Sequence, residues 1–164
     1  MKTLKTLMDT LPQVGRVEWI GLRPDRRADM QVVDAASAVA EAGLDGDRYS
    51  KRGGDRQVTL IQAEHLAAVA SMLGIGTVAA ESVRRNIVVS GINLLALKDK
   101  AFELGGATLA CTGLCHPCSL MESTLGPGGY NAMRGHGGIT ARVLASGEIR
   151  LGDALRYAGT PAPG

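Results

Sequence analysis

Apolar and polar residues alternate along several short segments of the chain, with the period of two that a half-buried β-strand requires. Residues 14–22 and 57–61 follow this alternation and contain several β-branched side chains. Residues 30–40 fit either a strand or a helix, but Val32 and Val33 with the flanking turn residues favour a strand at least at the start. Residues 14–22 and 57–61 are therefore predicted to be strands.

The later part of the chain predicts further strands, each bounded by turn residues. They are 86–92, which ends at Gly91, the hairpin 101–113 around Gly105 and Gly106, and the closing pair in 138–158 joined at Ser146-Gly147. Gly152-Asp153 marks the turn into the last strand. Short strands at this spacing are typical of barrels and sandwiches.

Only one segment has a clear helical period. Residues 63–74 place apolar side chains three and four positions apart, and Gly74 marks the stop. One helical turn is also expected on each side of Gly126 to Gly129. A doubly wound α/β fold needs several helices alternating with strands. The pattern instead predicts a mainly β fold, a barrel with a few helices.

Length and composition fit this fold. A chain of 164 residues suits one domain with a single core, and 22 glycines are too many for a helical bundle. We expect the barrel domain over 14–158, an N-terminal segment over 1–13 and a tail over 159–164. Aromatic residues make up only 3% of the chain, so the core must be built from aliphatic side chains.

Charge and hydropathy exclude two classes of partner. The formal net charge is +2, which does not support a general nucleic-acid-binding surface. The N-terminus has two lysines but no apolar run of signal-peptide length, and no segment is long and apolar enough to span a membrane. We therefore expect neither a nucleic-acid nor a membrane partner, and a cytoplasmic location.

All the cysteines lie within eight positions: Cys111, Cys115 and Cys118. Their spacing is the one by which radical S-adenosylmethionine enzymes hold an iron–sulfur cluster, but those enzymes are large βα barrels. Zinc, with His116, His136 or His65 as a fourth ligand, is an alternative. Structural zinc sites usually use two ligand pairs set well apart, and this chain offers one.

The third interpretation is a single reactive thiol. Pro117 stiffens the backbone beside Cys118, and a nearby positive charge would stabilise its thiolate. Cys111 lies in an apolar strand and is expected to pack in the core, as free cysteines often do. The role of Cys115 stays open. We expect Cys118 to be the working thiol.

The long Gly-rich segment 43–56 carries much of the positive charge. Arg48 and Arg56 lie in it beside Gln57, whereas Lys51 and Arg52 are expected to be solvated. The turn Asp45-Gly46-Asp47-Arg48 lacks the further ligands of a calcium loop and is expected to pin the segment.

Two adjacent arginines precede the strand at 86–92. By the period-two rule, either Arg84 or Arg85 must point inward, and an inward arginine needs an anion. Asn86 can donate to the same anion. Farther along, Arg134 lies among glycines in 128–138, where the backbone either approaches a ligand closely or forms a surface loop.

Taken in order, these segments resemble a MOSC domain, the module named for the C-terminal part of molybdenum cofactor sulfurase. The matching stretches are 43–48, 56–66, 84–92, the hairpin 101–113, Pro117-Cys118 and 147–153. The resemblance implies a β-barrel of the pyruvate-kinase-barrel type and a bound molybdenum cofactor. It also implies that Cys118 ligates the metal or carries a persulfide, and that Arg84 and Asn86 clamp the pterin phosphate.

The candidate site residues are therefore Cys118 as catalytic residue and metal ligand, with Arg84, Asn86, Arg48, Arg56, Gln57 and Arg134 as cofactor contacts. The expected function is reduction of a small N-hydroxylated substrate, with electrons from a separate electron-transfer protein. A first alternative is a sulfur carrier, in which Cys118 takes a persulfide from a pyridoxal-phosphate-dependent cysteine desulfurase and passes it to a sulfur acceptor. A second alternative is a non-catalytic cofactor-binding module.

Overall fold

The computed structural model describes residues 1–50 and 53–161, so the expectation that Lys51 and Arg52 are solvated lies outside the described residues. The strands are β1 Gly15–Leu22, β2 Gln31–Val33, β3 Ala35–Val39, β4 Gly43–Leu44, β5 Val58–Gln62, β6 Ile87–Ser90, β7 Ala101–Leu104, β8 Ala107–Leu114, β9 Ile139–Ala145, β10 Gly147–Arg150 and β11 Ala154–Tyr157. The α-helices are α1 Leu4–Met8, α2 Ala63–Leu73, α3 Ala80–Val83, α4 Leu120–Leu125 and α5 Gly129–Met133, and a 3₁₀ turn spans Leu94–Leu97.

Seven strands of the described chain close into a barrel in the order β11-β7-β8-β9-β5-β6-β1. The barrel closes where β1 pairs with β11, with Gly15 opposite Leu155. Neighbouring strands are antiparallel except β5 and β6, which are parallel and joined through α2 and α3. The predicted mainly β barrel with a few helices is thus confirmed.

Strand β1 changes partner along its length. Its first residues pair with β11, its last residues pair with β2, and β6 lies along its other edge. The register to β6 shifts between Val17 and Trp19, and a bulge of this kind bends a strand. After the bulge β1 stays beside β6, with Ile20 opposite Ile87 and the Gly21 N–H donating to the Asn86 carbonyl at 2.7 Å, so the loop after Leu22 begins beside the start of β6.

The period-two pattern sorts side chains between two cores. Leu60 and Ile87 face the aliphatic barrel interior, where Phe102 is the buried aromatic ring. The neighbouring Ile61 and Val88 face outward and pack with α2, α4 and α5. The aromatic-poor composition is therefore accommodated by two aliphatic cores on opposite faces of β5 and β6.

A second, three-stranded sheet has the order β10-β3-β4. Strands β9 and β10 follow each other at Ser146-Gly147 as predicted, but they pair with different neighbours. Ile149 of β10 lies opposite Ala36 of β3, whereas β9 pairs with β5 and β8. The backbone of Gly147 packs directly against the carbonyl of Gly106, so the chain crosses the β7–β8 turn instead of forming a hairpin.

The helices agree with the sequence pattern where an apolar stripe exists. Helix α2 ends at Gly74, which has a φ of +68°, and α4 and α5 lie where helical turns were expected. Helix α1 was missed because it buries no residue and so has no stripe to detect. None of the helices in the described ranges is long and apolar enough to cross a membrane.

Two glycines before β9 allow the cost of an unusual backbone conformation to be compared with the cost of a steric clash. Gly138 has a φ of +84°, and a Cβ there would overlap the Leu60 carbonyl in the barrel wall. Gly135 has a φ of +79° with open space around it. We expect Gly138→Ala to lower the free energy of unfolding by about 3 kcal/mol or more. Gly135→Ala, the matched control, should lower it by about 1–2 kcal/mol. Urea unfolding measures both, and equal losses would contradict the packing role.

Candidate functional site

One end of the barrel carries a pocket because several strands begin or end there. Strand β1 is antiparallel to β6, so its last residues lie beside the first residues of β6, and β5 begins at the same end. The cavity has a volume of about 520 Å³. Its lining residues are Arg23, Arg26, Arg27, Arg48, Tyr49, Arg56, Val83, Arg84, Arg85, Cys118, Ser119, Leu120, Met121 and Ser123.

Positive charge dominates this pocket. Seven of its lining residues are arginines, and none of those in the described ranges is Asp or Glu. Like charges this close together repel one another, so an anion that binds in the pocket lowers the electrostatic free energy. The net charge of the chain is only +2, so this pocket is a local concentration of positive charge. Its charge favours anionic ligands over neutral or cationic ones.

A buried polar network forms the floor beneath the arginines. The Arg23 guanidinium lies 3.2 Å from the Asp47 carboxylate, and both side chains are almost completely buried. The Arg23 backbone N–H also donates to Asp47 Oδ1 at 2.7 Å. Asn86 Oδ1 accepts from Arg23 Nη2 at 2.8 Å, and Asn86 Nδ2 donates to Asp47 Oδ1 at 2.9 Å. Asp47 thus pins the 43–56 segment as expected, through Arg23 instead of Arg48.

Tyr49 holds three of the guanidinium groups together. The guanidinium carbons of Arg23, Arg48 and Arg56 lie 4.5, 4.6 and 5.3 Å from the centre of its ring. A ring face attracts cations, so it offsets part of their mutual repulsion. The three charges are therefore already gathered before any anion binds.

Arg85 is the inward arginine that the strand period predicted. Only 5% of the residue is exposed; Nε donates to the Gly137 carbonyl at 2.9 Å and Nη1 to the Val83 carbonyl at 2.8 Å. Its Nη2 is buried and has no hydrogen-bond partner in the described chain. Burial lowers the pKa of Arg85; negative charge on Cys115 would oppose that effect, whereas the guanidiniums of Arg56 and Arg23 add to it. Arg85 is a lining residue of the pocket, and an unpartnered buried donor on such a residue is unusual unless a ligand satisfies it.

Arg84 has a different role in the same wall. It ends α3 with a φ of +55°, and its Nη1 donates to the Ala28 carbonyl at 2.7 Å. Its own carbonyl accepts from Arg23 Nη1 at 3.2 Å. Arg84 therefore connects the floor network to the loop that follows β1.

The three cysteines have separate environments. Cys111 is buried in the barrel core as predicted, and burial raises the pKa of its thiol. Cys115 is buried, and its N–H donates to the Gly138 carbonyl at 2.8 Å. Cys118 is exposed and lines the pocket just before α4. Within the described ranges, no three His, Cys, Asp or Glu side chains form a group able to hold a metal ion.

Four of the predicted site residues meet in the pocket: Arg48, Arg56, Arg84 and Cys118. The other three lie elsewhere. Asn86 is fully buried in the floor network, and Gln57 is fully buried with its Oε1 accepting from Val143 N at 2.9 Å. Arg134 is exposed, and its Nη1 lies 3.4 Å from Asn131 Oδ1.

The charged and aromatic lining residues that the sequence analysis did not identify include Arg23, Arg26, Arg27 and Tyr49. No role was predicted for residues 23–27. A usable signal was present, because adjacent arginines directly after a strand end lie at the rim of a barrel. Tyr49 gave no signal, since its role depends on arginines that the fold brings to it.

The histidines do not take part in this pocket. His65 and His136 contact each other edge to face, with ring centres 5.0 Å apart. Burial lowers the pKa of His65, and His136 adds to the effect. Neither ring lines the arginine pocket.

The fold and the pocket define a β-barrel protein with an arginine-rich pocket and an exposed thiol in its lining. A family model for the MOSC domain matches residues 45–156, so the chain belongs to the MOSC domain family. A comparison with curated proteins gave no match.

Solved structures share the fold at low sequence identity. The YuaD protein from Bacillus subtilis is 20% identical with a TM-score of 0.78, covering 93% of this chain and 100% of its own. YiiM from Geobacillus stearothermophilus is 17% identical with a TM-score of 0.69, covering 88% of this chain and 75% of its own. YiiM from Escherichia coli is 18% identical with a TM-score of 0.63, covering 90% of this chain and 72% of its own.

The floor network yields a stability prediction. Asp47→Asn keeps the shape of the side chain but leaves the Arg23 charge buried without its carboxylate. We expect the free energy of unfolding to fall by about 3–5 kcal/mol, the usual loss when one partner of a buried pair is removed. Glu148→Gln, which breaks the exposed Glu148–Arg150 pair at 2.8 Å, is the control and should cost less than about 1 kcal/mol. Similar losses in both variants would contradict the central role of Asp47.

Proposed function

We propose that the chain binds the molybdenum cofactor in the arginine pocket and reduces N-hydroxylated compounds. The observation that carries this proposal is the content of one pocket: the exposed Cys118 thiol and the orphaned Nη2 of Arg85. Family membership supports the choice of cofactor, as the resemblance to the MOSC domain implied.

The residues present fit this cofactor. Its pterin carries a phosphate, and guanidinium groups bind phosphate with several parallel hydrogen bonds. Arg85 offers an unpaired donor for the phosphate, and Arg48 and Arg56 add charge that Tyr49 holds in place. The thiolate of Cys118 is a soft ligand of the kind that suits a transition metal. When bound, the cofactor would supply the two-electron redox chemistry.

The chain's own contribution is binding and orientation. Leu120 gives the pocket an exposed apolar side chain two positions after Cys118, against which the body of a small substrate packs and excludes water. Reduction of R–NHOH consumes two electrons and two protons and releases R–NH₂ and water. The described lining holds one thiol and so cannot supply two electrons repeatedly. A separate electron-transfer protein supplies them.

The exposure of Cys118 favours one second candidate, a sulfur carrier. The Cys118 thiolate would attack the outer sulfur of a cysteine desulfurase persulfide, and the desulfurase thiolate would leave. The sulfane sulfur would then pass to an acceptor without any net redox change. This function needs the thiol to be accessible but needs fewer arginines than the pocket holds.

Metal analysis distinguishes these functions. Expressed in a host that makes the cofactor, the wild-type protein should carry stoichiometric molybdenum and pterin, measured by plasma mass spectrometry and by fluorescence of the oxidised pterin. Cys118→Ser should lose molybdenum, because serine is a poor ligand for a soft site. Ser123→Ala, a change in the same pocket that keeps the thiol, should retain it. Metal-free wild-type protein that takes labelled sulfane sulfur at Cys118 would instead establish the carrier.

The phosphate contact is tested separately. Arg85→Gln removes the orphaned donor, and we expect pterin retention to fall about tenfold or more, the loss that follows from one charge-assisted hydrogen bond. Arg156→Gln, an exposed arginine of β11 outside the pocket, is the control and should retain pterin. Unfolding midpoints of both variants show whether the fold is intact.

If Arg85→Gln keeps its pterin, the phosphate does not bind at Arg85. If Arg85→Gln loses pterin while Cys118→Ser retains molybdenum, the protein is a binding module in which the thiol has no role.

A further inference from the structure

The Arg26–Arg27 turn contributes two charges to the pocket that the proposed cofactor contacts do not use. Both arginines are exposed and line the cavity. Neither guanidinium has a hydrogen bond or an ion pair to any residue in the described ranges. Asp25, the acid next to them in sequence, does not line the pocket. The turn therefore presents two free, adjacent cations to whatever enters.

This turn is held in place and is not a free loop. The Ala28 N–H donates to the Asp25 carbonyl at 3.2 Å, which closes the turn. Arg84 Nη1 donates to the Ala28 carbonyl, and Arg84 is itself tied to the buried Arg23. Arg27 has a φ of +61°, a conformation that residues with a side chain seldom adopt unless their surroundings impose it. The strained backbone and the Arg84 bond hold the backbone of the turn in place, and both arginine side chains extend from it to the pocket.

The charge of the pocket exceeds what one phosphate neutralises. Asp47 offsets one of the seven guanidinium charges. A phosphate monoester carries nearly two negative charges at neutral pH, so about four positive charges remain after the pterin phosphate binds. A second anion relieves that excess, and the unpaired Arg26 and Arg27 are the free groups to receive it.

The remainder of the lining shows what the second anion is attached to. Leu120 is an apolar lining residue of the same cavity and is 41% exposed, with the buried Val83 and Met121 behind the lining. An exposed leucine at a pocket gains free energy when a planar or apolar group covers it. Cys118 lies two positions before Leu120 in the chain, so this apolar contact borders the thiol. The pocket thus offers an apolar contact beside the reacting centre and a pair of cations at the rim.

We propose that the substrate is a phosphate monoester of an N-hydroxylated compound, with its phosphate bound by Arg26 and Arg27. Its apolar body packs on Leu120 and directs the N–OH group toward Cys118. The assignment of the N–OH group rests on the proposed function. The phosphate subsite rests on the turn itself and can be tested by binding alone.

The test compares two ligands that differ by one phosphate, N⁶-hydroxyadenosine and its 5′-monophosphate. Isothermal titration calorimetry with the full chain carrying its pterin, at low ionic strength, gives both dissociation constants. We expect the monophosphate to bind wild-type protein about tenfold or more tightly than the nucleoside. In Arg26→Gln/Arg27→Gln the ratio should fall to about one. The double variant Arg16→Gln/Arg156→Gln removes the same charge outside the pocket and should keep the wild-type ratio.

Two results would overturn the inference. Equal affinities for the two ligands in wild-type protein would mean that no phosphate subsite exists. A preference for the monophosphate that survives Arg26→Gln/Arg27→Gln would mean that other arginines bind the phosphate. Pterin content, measured on the same samples, reports on the proposed function independently. Wild-type protein without pterin refutes the proposed function, while the ratio of the two dissociation constants still decides the phosphate subsite.

Discussion

The buried ion pair between Arg23 and Asp47 is the interaction on which the pocket depends. Two charged groups removed from water are stable only when their remaining donors and acceptors are satisfied, and here Asn86 completes the set from the start of β6. The network ties the end of β1, the 43–56 segment and β6 to one point. Each of the other arginines is attached to a segment that this point fixes. The carboxylate of Asp47 therefore positions the segments that carry the other pocket arginines.

The sequence pattern was sufficient for the barrel but only partly for the site. Strands β1 and β9 were predictable because more and less buried positions alternate along most of their length, and β7 and β8 from the Gly105-Gly106 turn between them. Strands β5 and β6 were predictable as short segments rich in β-branched residues, with apolar cores on both faces. The same rule predicted an inward arginine at 84–85, and Arg85 is that residue. Residues such as Arg26 and Tyr49 leave no periodic record, since their role comes from neighbours distant in sequence.

Asn86 shows how one residue supports two interpretations. Its position next to two arginines suggested a ligand contact. In the fold its amide is fully used by Arg23, Asp47, Gly21 and Thr59, so it supports the cations that face the pocket. No pattern in the chain distinguishes these roles, because both require a polar side chain at the start of a buried strand. Only the partner residues decide, and all four come from other strands and loops.

The closure of the barrel between β1 and β11 joins two distant parts of the sequence. Strand β11, at residues 154–157, pairs with β1 at residues 15 and 16, so a single long-range contact completes the ring of strands. The pocket is lined by residues between 23 and 123, all of which lie within the span of chain that this contact encloses. Contacts this distant in sequence carry a large loop-closure entropy and slow folding. The geometry of the arginine pocket is thus coupled to one pairing that none of its lining residues makes.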